Sequence, residues 1–217
     1  VRKVLESLSP CDIADGLAAT VGFSDGGLLA AGLRHVPGSK PLNFAGPAYV
    51  VEYAAKDDPR PAVKGSYIDS VPKDSVLVLT SPKGVRNAIF GGLMATRAGY
   101  LGAKGAVIDG FIRDVGEQRN ASARFNYSIM SRGVGIAAPA PAVKVVQINE
   151  GPARTSDGGL VYPGDWIIGD ENGVARVEDG ASTWVEKVCS YSPRRVEADQ
   201  LVMTDILAGK AAAPSQK

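Results

Sequence analysis

An adjacent arginine and aspartate in the middle of the chain are residue types that together could bind an anion and a metal ion. Arg113 and Asp114 follow the apolar run at residues 107–112, in the stretch VIDGFIRDVGE. Arginine can hold a carboxylate through two parallel hydrogen bonds. Aspartate can hold magnesium, which takes one or two protein oxygens and keeps several waters. An ordinary ion pair at the end of a strand would explain the same two residues, so the pair alone leaves both interpretations open.

Two glycines twenty residues upstream add a second candidate element. Gly91 and Gly92 precede Leu93 and Met94 at the start of a predicted helix over residues 92–101. Glycine lets a ligand approach the backbone closely, and the first helical turn offers unpaired N–H groups at the positive end of the helix dipole. A small carboxylate or phosphate suits that place. A tight turn or close packing would equally account for the glycines.

The elements around these residues would bring them together. Short apolar runs at residues 74–80 and 106–111 are typical of buried strands, and the helix lies between them. If the second strand is parallel, its carboxyl end lies at the edge of the sheet where the helix begins. The amides of Leu93 and Met94 would then face Arg113 and Asp114. Such a group could bind a 2-oxo acid and stabilise the enolate formed when its carbon–carbon bond breaks.

The rest of the chain indicates an α/β fold with antiparallel pieces in its second half. Ser9 and Pro10 predict the start of a helix, whereas residues 44–53 read as a glycine–proline turn leading into a β-rich segment. Residues 197–207 are a candidate late helix. We expect one domain over residues 1–208 and a disordered tail over residues 209–217.

Composition narrows the function classes. The 217 residues carry 24 basic and 23 acidic side chains, so no strong field attracts nucleic acid or acidic membranes. The two cysteines form no CxxC motif, which argues against a disulfide framework or a thiolate metal site, and we expect Cys11 to be a small buried residue. No apolar run approaches the roughly 18 residues needed to span a bilayer. We expect a soluble, cytoplasmic protein that binds neither nucleic acid nor membranes.

The spacing of Gly92, twenty residues, Arg113–Asp114, two residues and Glu117 resembles the G-x20-R-D-x2-E/D signature of the RraA-like family. That family includes the class II 4-hydroxy-4-methyl-2-oxoglutarate/4-carboxy-4-hydroxy-2-oxoadipate aldolases, which also decarboxylate oxaloacetate. The segments CDIADGL, FAGPAYVV, GLMAT, KGAVIDGFIRD and VYPGDWIIGDENGV are similar to family blocks in the same order. The resemblance covers residues 11–174.

The resemblance implies a fold, a cofactor and roles for individual residues. The implied fold is an α/β/β sandwich similar to phosphohistidine swivelling domains, assembled as homotrimers or hexamers with sites between subunits. The segment from Gly91 to Met94 matches the amides that bind the pyruvate carboxylate. Arg113 matches the arginine that binds the substrate and steadies the enolate oxygen, and Asp114 matches the ligand of a divalent cation, magnesium or manganese. A neighbouring subunit's glutamate often completes the site, and Glu186 and Glu197 are candidates.

One departure from the family concerns Gly92, where characterised aldolases commonly have an acidic residue that orients metal-bound water. Without it, we expect oxaloacetate decarboxylation to be better preserved than aldol cleavage, and we expect Gly92→Asp to favour the aldolase reaction. The alternative function is that of a non-catalytic regulator, since some family members bind and inhibit ribonuclease E.

The remaining candidates have simpler interpretations. His35, the single histidine, reads as a surface or loop residue, and Trp166 and Trp184 as packing residues. Lys104 and Lys144 could form a Schiff base but lie in polar contexts, so we expect both to be surface residues. Asp109 could add a second carboxylate near the metal, but it lies within an apolar strand and would need a partner if buried. Glu117 could serve the site or simply pair with Arg113 or Arg119.

Overall fold

The computed structural model describes residues 1–40, 42–178 and 182–212, which form helices and a large mixed sheet. The helices are α1 (Arg2–Ser7), α2 (Pro10–Val21), α3 (Gly92–Tyr100), α4 (Val115–Phe125) and α5 (Ser182–Leu207). A short 3-10 helix spans Tyr67–Ser70. The strands are β1 (Arg34–His35), β2 (Phe44–Ala55), β3 (Val76–Thr80), β4 (Ala88–Phe90), β5 (Gly105–Ile112), β6 (Ser128–Val134), β7 (Val143–Ile148), β8 (Ala153–Arg154), β9 (Leu160–Val161), β10 (Trp166–Gly169) and β11 (Val174–Val177).

The large sheet has the strand order β1-β6-β5-β3-β2-β10-β11, with β4 also paired to β5 and β7 to β2. Its centre is parallel, because β2 pairs with β3, β3 with β5, and β5 with β6 in that sense. Strands β1, β7, β10 and β11 are antiparallel to their neighbours, and β8 and β9 form a separate hairpin. Since β4 is also parallel to β5, the loops after these two strands leave the sheet at the same edge.

Each face of the sheet packs on a different layer. On one face, Leu79 and Ile108 lie in a core cluster with Ala95 and Ala98 of α3 and Ala121 of α4. On the other face, a second cluster joins the parallel strands to β8–β11 and consists of Leu29, Ala30, Leu33, Phe44, Ala48, Val50, Val76, Val78, Val107, Met130, Ala153, Val161, Ile167 and Val174. Helices α1, α2 and α5 cover β10 and β11 through a third cluster. The predicted α/β/β fold class is thus confirmed: a layer of helices, the parallel strands and a curled second β layer are stacked in that sequence.

Several predicted elements are confirmed close to their expected bounds. Helix α2 begins at Pro10, and Ser9 caps its N-terminus. The Ser9 side chain accepts from the Asp12 N–H, and the Asp12 side chain accepts from the Ser9 N–H. Helix α3 and strands β3 and β5 coincide with the predicted strand–helix–strand unit. The turn sequences near Gly164 and Gly173 separate short strands, and both glycines have positive φ.

The expected turn at Gly46–Pro47 is wrong, since both residues lie inside the continuous strand β2. A Cβ at Gly46 would lie 2.7 Å from the carbonyl oxygen of Asp74, so the glycine permits a close backbone approach. Pairing of β2 with β3 begins one residue after Pro47, at Ala48, so the missing proline N–H removes no bond from that ladder. The prediction of a buried Cys11 is also wrong, because the residue lies on the exposed side of α2.

The last helix is much longer than the predicted segment 197–207. Helix α5 runs from Ser182 to Leu207 with Pro193 in its interior, a residue that would ordinarily end or kink a helix. The hydroxyl of Ser192 donates to the carbonyl of Asp12 at 2.8 Å and anchors α5 to α2 next to the proline. Beyond Pro193 no described residue of α5 is buried, and Leu201, Met203 and Leu207 are exposed.

The predicted tail falls partly outside the described residues. Helix α5 ends at Leu207, close to the predicted boundary, and Gly209 follows in a left-handed conformation. Residues 213–217 lie outside the described part, so the division into a domain and a tail stays a prediction. Within the described ranges, no helix combines the length and apolar character needed to cross a membrane.

Close packing around Phe44 gives a test of the second β layer. A Cβ added at Gly169 would overlap the Phe44 ring, and there is no vacant space beside it because Gly105 packs against the same ring. We expect Gly169→Ala to lower the free energy of unfolding by about 1–3 kcal/mol, the usual cost of overpacking. Gly151→Ala is the matched control, since nothing lies within 4 Å of its added Cβ. Urea denaturation of both variants measures the difference, and equal stabilities would contradict this packing.

Candidate functional site

The start of α3 lies directly after β4, as the glycine pair predicts. Gly91 is the N-cap residue of α3, with extended backbone, and the helix begins at Gly92. The Gly92 N–H donates to Oδ2 of Asp114 at 3.1 Å. No acceptor among the described residues is bonded to the amides of Leu93 or Met94, which lie too early in the helix for intrahelical bonds. Two N–H groups at the positive end of α3 are therefore available to an anion.

Arg113 and Asp114 form the turn between β5 and α4 and stand beside this helix start. The Arg113 N–H donates to the carbonyl of Phe90, the last residue of β4, at 3.0 Å. Asp114 adopts a left-handed conformation, with φ 60° and ψ 47°, which is uncommon for a residue other than glycine. Its Oδ2 lies 3.6 Å from Nε of Arg113, and both side chains remain 41% exposed. The local ion pair is thus present, but it leaves both groups open to a ligand.

Gln118 belongs to this site, although no motif in the sequence predicts a role for it. It is fully buried in α4, and its Nε2 donates to the carbonyls of Phe90 at 3.2 Å and Arg113 at 2.7 Å. One side chain therefore ties the end of β4 to the turn after β5. The only signal in the sequence is its spacing: residues four apart in a helix lie on the same face, and Gln118 is four residues after Asp114.

Both glycines are required by the carboxylates that surround them. A Cβ at Gly91 would lie 2.8 Å from Oδ2 of Asp114. A Cβ at Gly92 would overlap the carboxylate of Glu117 and stand 2.6 Å from the Glu117 Cβ. The Glu117 carboxylate, which extends from α4, therefore occupies the space that an acidic side chain at position 92 would take. The Glu117 carboxylate lies against the helix start, and among the described residues neither Arg113 nor Arg119 forms an ion pair with it. A role for Glu117 in the site stays a prediction.

These groups fit a hard divalent cation held mainly by water. Asp114 and Glu117 present carboxylate oxygens, the ligand type that magnesium and manganese prefer. No group of three or more histidine, cysteine or acidic residues that could enclose a metal occurs within the described ranges. One or two protein oxygens at an exposed edge suit magnesium, which keeps several waters, better than zinc, which usually takes three or four protein ligands that include histidine nitrogen or cysteine sulfur.

The other candidate residues lie elsewhere. Asp109 is 1% exposed and pairs with Arg132 and with the backbone N–H and hydroxyl of Ser156, so it has the partners that its burial requires. His35 lies in β1, half-buried rather than on a surface loop, and bonds Ser128 through Nδ1; burial lowers its pKa.

The two lysines and two tryptophans have structural contacts. Lys104 lies 3.5 Å from Asp74 and is well exposed, whereas Lys144 is partly buried and donates to the carbonyl of Asp58. Trp184 packs edge-to-face on Phe23, and Trp166 belongs to the helix-covered cluster. None of these contacts brings a lysine amine toward the glycine pair.

The candidate neighbouring-subunit glutamates lie on α5. Glu186 and Glu197 are both exposed. Helix α5 packs against α1 and α2, whereas α3 packs against α4 and the 3-10 helix. Neither glutamate therefore belongs to the group around Asp114 in the same chain, and their role stays a prediction.

Sequence comparison identifies the family. The profile described as "RraA-like: Aldolase/RraA" matches residues 10–176. The chain belongs to the RraA-like family. A protein of Halalkalibacterium halodurans named "Putative 4-hydroxy-4-methyl-2-oxoglutarate aldolase" is 36% identical over 76% of each chain. Protein DlpA of Legionella pneumophila is 31% identical over 79% of this chain, which spans only 27% of DlpA.

Solved structures show that the fold is RraA-like as well. An uncharacterized protein from Pseudomonas syringae matches 100% of this chain and 96% of its own with a TM-score of 0.80 and 26% identity. RraAS2 of Streptomyces coelicolor, an unusual member of the RNase ES inhibitor RraA protein family, has a TM-score of 0.71 and 18% identity, covering 91% of this chain and 93% of its own. The second likeness concerns the fold alone.

The contact between Gly92 and Glu117 changes the expected effect of Gly92→Asp. The new side chain would overlap Glu117 close to the α4 backbone, so we expect a loss of stability of about 1–3 kcal/mol. Adding Glu117→Gly removes the obstructing Cβ, and the double variant should be more stable than Gly92→Asp alone, although glycine itself costs about 1 kcal/mol in a helix. Chemical denaturation of Gly92→Asp, Glu117→Gly and the double variant measures this coupling. A Gly92→Asp single variant as stable as the parent would contradict the packing.

Proposed function

We propose that the protein is a divalent-metal-dependent lyase that releases pyruvate from short 2-oxo acids such as 4-hydroxy-4-methyl-2-oxoglutarate and that also decarboxylates oxaloacetate. The observation that carries the proposal is the convergence of two free helix amides, a half-exposed arginine and a half-exposed aspartate at one edge of the sheet. The name of the Halalkalibacterium relative supports the same reaction class.

Binding of the substrate follows from the charges and donors. The substrate carboxylate takes the amides of Leu93 and Met94, where the helix dipole favours a negative group. Arg113 donates to the 2-oxo oxygen and stabilises the negative charge that develops on it as the bond breaks. Asp114 would hold magnesium or manganese, which supplies positive charge that withdraws electrons from the oxo group. Gly91 and Gly92 leave room for the Asp114 and Glu117 carboxylates beside the helix start, so both groups can lie next to the bound substrate.

Aldol cleavage needs a proton acceptor that decarboxylation does not need. In cleavage of 4-hydroxy-4-methyl-2-oxoglutarate, the C3–C4 bond breaks, the hydroxyl proton leaves C4–OH, and C3 is protonated, so two pyruvates form. Oxaloacetate loses carbon dioxide and then takes up one proton at C3. Glu117 is the carboxylate that lies beside Gly92, and we assign it the acceptance of the hydroxyl proton, directly or through one water.

The working unit in this proposal is a homotrimer or hexamer with sites between subunits. The second half of α5 supports it, because this helix carries exposed Leu201, Met203 and Leu207 that no described residue covers. Exposed apolar residues grouped on one element are typical of a contact surface. A second candidate function is that of a regulator which binds a ribonuclease, since RraAS2 has the same fold. The exposed apolar surface of α5 could equally be the surface that contacts such a partner.

Removing the Asp114 carboxylate tests the lyase proposal. We expect Asp114→Ala to abolish metal-dependent pyruvate release from both substrates, a loss of at least 100-fold in kcat/KM, because the cation loses its direct ligand. Asp69→Ala is the control, since Asp69 forms an exposed pair with Arg97 on the far part of α3. Pyruvate release is measured with magnesium and with chelator. Absence of metal-dependent turnover in the parent protein would favour the regulator instead.

Glu117 should affect the two reactions unequally. We expect Glu117→Gln to lower kcat for aldol cleavage by roughly 100-fold, the contribution of a general base, while oxaloacetate decarboxylation falls by less than about threefold. Glutamine keeps the size of the side chain and its packing against Gly92. The measurement is kcat for both substrates under the same conditions. Parallel losses in the two reactions would show that Glu117 acts on binding or stability rather than on the hydroxyl proton.

A further inference from the structure

A second cleft, with charged side chains in its lining, lies on the face of the sheet that carries the β8–β9 hairpin. It is open to solvent, has a volume of about 360 Å³ and is lined by the end of β2, the residues after β3 and the β8–β9 hairpin. We call it the hairpin cavity. The hairpin packs on the layer that contains Val78 and Val107, whereas α3 and α4 pack on the layer that contains Leu79 and Ile108. The hairpin cavity is therefore distinct from the site around Asp114.

One wall of the hairpin cavity is fixed by a buried charge. The carboxylate of Asp109 accepts from the backbone N–H and the hydroxyl of Ser156, which lines the cavity, and also pairs with Arg132. Arg132 continues to Asp157 at 3.0 Å, and Asp157 accepts from the Ala31 N–H at 2.8 Å. A charge buried in this way holds its partners firmly, because breaking the group would leave the charge uncompensated. The hairpin is thus held in place before any ligand arrives.

The charges in the hairpin cavity leave two cations without a carboxylate partner. Arg60 bonds both carboxylates of the lining, Glu52 at 2.9 and 3.1 Å and Asp58 at 3.0 Å. Lys83 and Arg154 form no ion pair with any described residue. The guanidinium of Arg154 is held at the hairpin by a 2.8 Å bond from Nη1 to the Gly158 carbonyl, and none of its other donors bonds a residue that the structure describes.

Lys83 also contributes to the lowered pKa of the nearby Asp157. The pKa of Asp157 is lowered first by the Ala31 N–H, and then by Arg132 and by Lys83. The ammonium group is therefore close enough to the hairpin to favour negative charge there. Among the lining residues, three cations stand against two carboxylates, and the neighbouring Asp157 is paired with Arg132.

A buried hydroxyl in the cavity lining lacks a hydrogen-bond partner. Ser81 is 4% exposed, and its Oγ makes no hydrogen bond with the described residues. An unpaired buried hydroxyl costs free energy, and rotation about χ1 is the simplest way to direct it toward a ligand in the cavity. Ser81 thus adds a neutral donor to a lining that also contains Lys83 and Arg154.

We propose that the hairpin cavity binds one small oxyanion, a phosphate or a carboxylate, through Lys83, Arg154 and Ser81. Lys83 and Arg154 neutralise the charge, and Ser81 donates a directed hydrogen bond. The proposal is independent of the lyase activity, because none of these residues lies at the glycine pair or beside Asp114.

Calorimetric titration with inorganic phosphate, and separately with acetate, tests the site at constant ionic strength in chloride. The background is Arg113→Ala, which weakens anion binding at the α3 start while leaving the hairpin cavity intact. We expect saturable binding of one anion per chain, and an affinity about tenfold lower in Lys83→Ala and in Arg154→Ala. Ser81→Ala should weaken binding a few-fold, and Lys187→Ala, which removes an exposed cation on α5, should leave it unchanged.

Four outcomes decide the matter. Binding of phosphate but not acetate identifies a phosphate site, and tighter binding of acetate identifies a carboxylate site. No saturable binding of either anion overturns the proposal. An affinity that is equal in the Lys83, Arg154 and Lys187 variants overturns it too, provided that circular dichroism shows all variants to be folded.

Discussion

The hydrogen bond from the Gly92 N–H to Asp114 is the contact on which the candidate site depends. It joins the start of α3 to the turn before α4, two points separated by more than twenty residues in the chain. The bond is possible because β4 and β5 are parallel neighbours, so the turns that follow them emerge at one edge. The Arg113 N–H and the Gln118 amide hold the same edge through the Phe90 carbonyl. Together these bonds fix where each donor and charge lies before a ligand binds.

This arrangement also explains why the site tolerates unfavourable backbone geometry. Asp114 in a left-handed conformation costs on the order of 1 kcal/mol or more, and such residues persist where their surroundings determine them fully. Here the surroundings are the helix amide on one side and the buried Gln118 on the other. The strain turns the Asp114 carboxylate toward α3 rather than along the path of β5, which places a negative group beside free N–H donors.

The sequence could predict the elements of this edge but not their exact contacts. Short apolar runs bounded by glycines are compatible with few secondary structures. The local pattern therefore predicts the strand–helix–strand unit and the start of α3. The placement of Glu117 against Gly92 depends on how α4 packs on α3, which no spacing reveals. The partner of Asp109 could not be predicted either, because Ser156 is 47 residues away in the chain and lies next to Asp109 only through the fold of the β8–β9 hairpin. The length of α5 was missed for another reason: an interior proline usually ends a helix, and here tertiary packing against α2 overrides it.

The charges around the glycine pair bear on the proposed need for a metal. Arg113 contributes one positive charge, whereas Asp114 and Glu117 contribute two negative ones, so the group alone is net negative. At 4 Å in a medium of effective dielectric constant 20, one unit pair interacts with about 4 kcal/mol, which exceeds the roughly 0.3–1 kcal/mol gained from a helix N-terminus. An anionic 2-oxo acid would therefore be disfavoured by the side chains unless a divalent cation reverses the balance. On this argument the proposed metal would serve substrate binding as well as chemistry, and the second carboxylate would strengthen that dependence.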